Sequence, residues 1–289
     1  MEKRSQPAFT LQKSVTRTGV GLFTGEEIVL TLTPLPLGSG IVIERSDLER
    51  KPSFRVHSSL VQGTPRCTIV GTNVCAVQTV EHLMAALHAH QISDLLIRVH
   101  GPEIPIFDGS SCAFMAMLQE AGLVQQGEKI VHVLNEPLFW SQGDVHLIAL
   151  PSIEFRWSYT LHYPHHTCIG TQFYSVACQD LQELSSVFNE NISPARTFSV
   201  YEEVLPLIEK GQLRGGTLDN AVVIRDNIVV NPEGLRFADE MVRHKILDLM
   251  GDLYLMEFYV QAHIIAMRSG HAANNALAKE FVTHFMREM

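Results

Sequence analysis

Hydrophobic residues recur along this chain with two different periods, and the switches between them mark out the elements. Residues 27–33 set Ile28, Leu30 and Leu32 against polar neighbours, the two-residue period of a half-buried strand. Further strand-like runs lie at 53–61, 67–70 and 94–100, with a turn at Gly63-Thr64-Pro65. Between them Val80, Leu83, Met84 and Leu87 fall at i, i+3, i+4 and i+7, which predicts a helix with Thr79 as its N-cap. A Pro- and Gly-rich loop at 101–110 follows, and then an apolar helix over 111–122 that ends on glycine.

The same order recurs further along. Residues 129–140, 145–150 and 154–159 read as strands. A helix around 244–256, a strand at 261–267, a glycine loop at 269–271 and a last helix over 272–286 follow. By this correspondence the helix carrying Glu81 and His82 matches the helix carrying His244, and the loop Asp108-Gly109-Ser110 matches Gly270-His271. A segment at about 198–232, trailing towards Phe237, has no such counterpart and reads as an insertion. It holds a helix over 201–210 kinked at Pro206, and two strands at 220–224 and 227–230 joined by an Asp226-Asn227 turn. The polar run QQGE at 125–128 marks the boundary between units 1–127 and 128–289. The expected class is α+β: two pseudo-repeated domains, each a sheet backed by helices, with the helices facing each other in a layered sandwich.

The helix around 244–256 carries unusual chemistry. Ile246, Leu249, Met250 and Leu253 fall on one side, while His244, Asp248, Gly251 and Asp252 fall on the other. An imidazole and a carboxylate one turn apart make a partial divalent-metal site, and Gly251 reads as room for a ligand to approach. The same spacing also suits a solvated helix turn. Glu81 and His82 lie off the apolar stripe of their own helix, where the helix dipole alone would favour a glutamate. If the two helices face each other, His82 joins His244 and Asp248 as the ligand set of a catalytic Zn2+ with one open position. Glu81 is then placed as general base. Asp252 is spaced to orient an imidazole. His271 is a candidate general acid, and Thr197 offers a hydroxyl to an oxyanion. Arg243, Lys245 and Arg268 could form a basic patch for a phosphate. His165 and His166 are adjacent in a strand-like segment and point apart, so a shared metal is not expected.

Composition narrows the class further. The 289 residues are 46% hydrophobic and carry a formal charge of −9, which suits a globular protein and argues against a nucleic-acid binder. Five cysteines without a CxxC pair, no apolar leader and no run long enough to span a membrane point to a reduced, cytoplasmic protein.

Seven segments occur in a specific order: TGVGL at 18–22, TVEHL at 79–83, PEIPIFDGS at 102–110, ARTF at 195–198, LDNAVV at 218–223, GLRFADEMVRHKILDLMGD at 234–252 and SGHAANN at 269–275. Over nearly the whole chain they resemble the UDP-3-O-acyl-N-acetylglucosamine deacetylases, zinc-dependent enzymes of lipid A biosynthesis. The resemblance implies Zn2+ held by His82, His244 and Asp248, a set with which Fe2+ is also compatible. It implies Glu81 as base, His271 as acid with Asp252 behind it, and Thr197 and Lys245 assisting at the oxyanion and substrate. It implies an acyl passage through the inserted segment, involving Val204, Leu207, Ile208 and Leu213, with Phe198 beside it. Tyr163 would lie under the uracil ring and Arg268 near the phosphates. The implied substrate is a UDP-linked, acylated amino sugar, the implied fold gives each domain a small insertion, and a monomer is expected. Two departures stand out: Phe23 where the family often has histidine, and Arg268 where it often has lysine. Two rival readings stay open: another metal amidohydrolase using the same ligand trio, and a non-enzymatic nucleotide-sugar binding protein.

Overall fold

The computed structural model describes residues 3–286. Two five-stranded sheets dominate it, and they share one topology. The first runs, edge to edge, Val15–Val20, Glu27–Pro34, Leu95–His100, Ile41–Arg45, Ser53–Arg55. The second runs Leu138–Gln142, Val145–Leu150, His263–Met267, Phe155–Tyr163, Gly170–Cys178. In each, the central strand pairs antiparallel on one side and parallel on the other. The central strand is also the last of its sheet in the chain, so a helix must carry the chain back to the sheet centre. Those helices are α1 (Glu81–Ala89) in the first half and α5 (Glu240–Tyr254) in the second. A further helix leaves each central strand: α2 (Cys112–Ala121) and α6 (His271–Met286). The pseudo-repeat expected from the hydrophobic pattern is therefore present in strand order and pairing sense.

The packing follows from alternation. Ile28, Leu30 and Leu32 are wholly buried on one face of the first sheet, as Leu147 and Ala149 are in the second. All nine residues of α1 are buried, and α5 is buried over most of its length, so both lie inside one continuous core. They cross at Gly251. A Cβ there would lie 2.0 Å from the Glu81 carbonyl oxygen. The missing side chain therefore admits the α1 backbone and is not clearance for a ligand, which corrects the reading of this glycine from the sequence.

Several local expectations shift. Thr79 is not the N-cap of α1; it adopts φ 59°, and Val80 caps the helix without a side-chain bond. The run expected over 129–140 is broken: one strand spans Leu123–Val133, through the QQGE segment, and another begins at Leu138 after Pro137. The first strand pairs with Lys3–Leu11 and Tyr259–Gln261 in a three-stranded sheet. Residues 53–61 hold Ser53–Arg55, a short 3-10 turn at Ser58–Leu60 and the first residue of a separate strand, Val61–Gly63. The segment after Phe198 does have a positional counterpart. Between the edge strand and the core helix, each half inserts a three-stranded sheet: Val61–Gly63, Ile69–Gly71, Ala76–Val77 in one, and Phe198–Val200, Val222–Arg225, Ile228–Val229 in the other. The second insertion also carries α4 (Tyr201–Glu209), which continues through Pro206, while α3 (Leu181–Asn191) precedes it. Asp226 and Asn227 have φ 51° and 59° and form the expected hairpin turn. All five cysteines are free, and among the described residues no helix is long and apolar enough to cross a membrane.

Candidate metal and catalytic centre

The α1–α5 crossing brings His82, His244 and Asp248 together, all buried, with their potential ligand atoms within 4.8 Å of one another. His244 Nε2 lies 3.4 Å and His82 Nε2 3.7 Å from Asp248 Oδ1. The rings of the two histidines meet edge to face, with centroids 4.9 Å apart. His244 Nδ1 is 3.0 Å from the Ala195 carbonyl oxygen; donating there leaves Nε2 with its lone pair free. Burial, reinforced by the neighbouring His244, drops His82 to about 3, and burial also lowers His244 against the pull of Asp248. Both imidazoles are thus neutral near pH 7, the form that ligates a cation.

Asp248 completes the fit. Its Oδ2 accepts from Lys245 Nζ at 2.7 Å, while its buried Oδ1 has no hydrogen-bond partner and faces both Nε2 atoms. Burial opposes its ionisation, but Lys245 and the surrounding imidazoles outweigh burial and hold it well below the usual carboxylate range. Two neutral imidazoles converging on an orphaned carboxylate oxygen make a donor set suited to a divalent transition metal.

A second cluster adjoins the first. Burial pushes Glu81 up to about 7, with His271 opposing and the Asp252 and Asp248 carboxylates reinforcing. Its Oε1 lies 3.8 Å from His271 Nε2, and its Oε2 accepts the Thr68 backbone N–H at 3.0 Å. His271 Nδ1 pairs with Asp252 Oδ2 at 2.9 Å. Burial disfavours the imidazolium, yet the carboxylates of Asp252 and Glu81 prevail and raise His271 to about 9. Asp252 has no exposure at all; it also accepts from Asn274 at 2.9 Å and from the Thr68 hydroxyl at 2.5 Å.

Glu81, His82, Thr197, His244, Lys245, Asp248 and His271 line one cavity of about 690 Å3. Thr197 is pinned across the two halves: its N–H donates to the Gly109 carbonyl, and its own carbonyl accepts from Val222. The adjacent Arg196 is buried and clamped by Glu240, which also accepts the Arg196 backbone N–H. This pair fixes the segment that presents both the Ala195 carbonyl and the Thr197 hydroxyl. Tyr163 lies 6.0 Å from Phe198, edge to face, and both line the cavity together with Arg268.

Thr197 and Phe198 also border a second, mainly apolar cavity of about 290 Å3, lined by Phe23, Val204, Ile208 and Leu213 among others. Leu207 is absent from its wall, which α4 lines through Tyr201, Val204 and Ile208. Arg243 does not join Lys245 and Arg268; it pairs with Asp239 and stacks on Tyr174 and Phe237, so the basic patch lacks it. His165 and His166 reach the cavity rim, with His166 3.7 Å from Glu203, and neither belongs to the metal-ligand cluster. Inference from sequence missed Thr68 and Asn274. Asn274 lies three residues after His271 on the first turn of α6, a spacing that could have flagged it.

A family profile described as UDP-3-O-acyl N-acetylglycosamine deacetylase matches residues 8–283. The chain is 42% identical over 276 residues to the UDP-3-O-acyl-N-acetylglucosamine deacetylase of Chlamydia caviae, covering 94% of this chain and 96% of that one. It is 38% identical over 276 residues to the protein of that name from Syntrophotalea carbinolica, at 95% and 87% coverage. It is 39% identical over 281 residues to the one from Chlamydia trachomatis serovar L2, at 96% coverage of both. Matched by that profile over nearly its whole length and by these relatives at 38–42% identity, the chain belongs to the UDP-3-O-acyl-N-acetylglucosamine deacetylase family.

Proposed function

We propose that this protein is a zinc-dependent deacetylase that hydrolyses the 2-acetamido group of a UDP-linked, 3-O-acylated N-acetylglucosamine, releasing acetate. The observation that carries the reading is the convergence of two neutral imidazoles on the unpartnered Asp248 Oδ1, beside Glu81 and His271. His82, His244 and Asp248 would hold the ion. Once bound, Zn2+ supplies Lewis-acid polarisation of the amide carbonyl and brings the pKa of a water to roughly 7.

The chain's own residues carry the proton traffic. Glu81 accepts a proton from the attacking water, which adds to the amide carbonyl carbon. Held near 7 by burial, Glu81 combines a usable fraction of base with real basicity. Thr197 and Lys245 border the same cavity, and their hydroxyl and ammonium would stabilise the developing oxyanion. His271, protonated at neutral pH through Asp252, gives its proton to the departing amine as the C–N bond breaks. Acetate and the free amino sugar result. Val204, Ile208 and Leu213 would receive the acyl chain, and Tyr163 and Arg268 the nucleotide end. The division at 127/128 belongs to the same proposal, since each unit then holds one five-stranded sheet and one ligand-bearing helix.

The test is metal content and turnover of the wild type, Glu81→Ala and His244→Ala. The expected result is zinc in the wild type and in Glu81→Ala, with turnover in the latter down roughly 10²- to 10⁴-fold. His244→Ala should lose both. A purified protein without transition metal, whose turnover ignores chelators, would sink the zinc assignment.

A further inference from the structure

Thr68 lies at the start of the short strand Ile69–Gly71, in the insertion of the first half, and is fully buried. It contacts Glu81 directly and His271 through Asp252. Its backbone N–H donates to Glu81 Oε2 at 3.0 Å, and its hydroxyl donates to Asp252 Oδ1 at 2.5 Å. Asp252 Oδ2 in turn meets His271 Nδ1 at 2.9 Å, and His271 Nε2 returns to within 3.8 Å of Glu81 Oε1. Glu81, Thr68, Asp252 and His271 therefore close a ring.

Each link in the ring has a consequence for the next. Binding of Oε2 by the Thr68 N–H leaves Glu81 Oε1 as the oxygen beside His271. The Thr68 hydroxyl engages Oδ1 and leaves Oδ2 turned to the imidazole. Asp252 has no exposure, so water cannot replace a lost donor, and among the described residues Thr68 is the one side-chain donor to Oδ1. Being β-branched, Thr68 has few side-chain rotamers to lose on holding this geometry.

We propose that Thr68 is a positioning residue for the hydrolysis, locking the base Glu81 and the acid His271 into one unit through Asp252. The proposal rests on the reading of Glu81 and His271 as base and acid. Thr68→Val keeps the shape and the backbone N–H and removes only the hydroxyl, whereas Thr68→Ser restores a hydroxyl. In Thr68→Val, kcat should fall roughly 10- to 100-fold, as for other partners that orient a catalytic group, with KM and zinc content close to wild type. Thr68→Ser should recover most of the loss.

A second readout needs no substrate. The His271 Nδ1 proton, held against a buried carboxylate, should give a far-downfield 1H resonance. That resonance should move or broaden in Thr68→Val and persist in Thr68→Ser. The proposal is overturned if Thr68→Val keeps both kcat and the resonance, or if Thr68→Ser is as impaired as Thr68→Val, which would mark a packing role. If the wild type fails to turn over the UDP-sugar, the deacetylase reading falls and the resonance alone decides the role of Thr68.

Discussion

At the scale of single residues, two groups are held off their ordinary protonation ranges in opposite functional senses. Burial raises Glu81 to about 7, and Asp252 with Glu81 raises His271 to about 9 against burial. The proposed base, Glu81, works only when deprotonated, so activity should rise as pH climbs through its value. The proposed acid, His271, works only when protonated, so activity should fall as pH climbs through its value. A bound dication would lower both values. The expected kcat/KM profile is therefore a bell with its rising limb at or below 7 and its falling limb at or below 9. His271→Gln should lose roughly 10²- to 10⁴-fold in rate and flatten the falling limb, while the rising limb stays. A profile flat from about pH 5 to 9 in the wild type would refute both assignments.

Among the elements, the α1–α5 crossing matters most, because it sets where Glu81 and His82 stand relative to His244 and Asp248. Gly251→Ala puts a Cβ against the Glu81 backbone, an atom that cannot move alone. The helices must part, at a cost of about 1–3 kcal/mol or more. Tm should drop by several degrees. Turnover should fall about 100-fold, because a shift of roughly 1 Å at Glu81 spoils alignment. Gly63→Ala is the control: its Cβ would meet only ordinary contacts, at 3.6 Å and beyond. Equal Tm and rate for Gly251→Ala and wild type would show that the crossing tolerates separation. The elements also explain what could be read in advance. The core helices were legible because their apolar stripes are regular, and the convergence of His82, His244 and Asp248 because each projects from such a helix. Several edge elements were not. Lys3–Leu11 begins polar and contains Pro7, tolerable only because it lies at a sheet edge. Gly170–Cys178 leaves Phe173 exposed, which breaks the alternation. The signal for α3 was present in Asp180, whose carboxylate caps Gln182 and Glu183, and in the spacing of Leu181, Leu184 and Phe188. Leu207 was misplaced because an apolar residue on α4 says nothing about which side faces the cavity. Thr68 carried no signal at all, since its role depends on Asp252, 184 positions away.

For the whole molecule, the proposed ligand set would make an ion a cross-link between the halves. His82 comes from α1 and His244 with Asp248 from α5, so the site exists only while the two helices stay packed. An ion that binds the folded chain and not the unfolded one stabilises it by about 2.7 kcal/mol at a hundred times its Kd. For a chain of this size that corresponds to roughly 4–5 °C in Tm. Chelation should therefore lower Tm by about that amount, and added Zn2+ should restore it in a concentration-dependent way. The variants separate this linkage from general salt effects. Glu81→Ala, which keeps all three ligands, should retain the metal-dependent shift even though it turns over little substrate. His82→Ala and His244→Ala should lose the shift from opposite sides of the interface. If metal analysis shows complete removal and Tm stays constant, the ion does not bridge the halves, and the unpartnered Asp248 oxygen needs a different occupant.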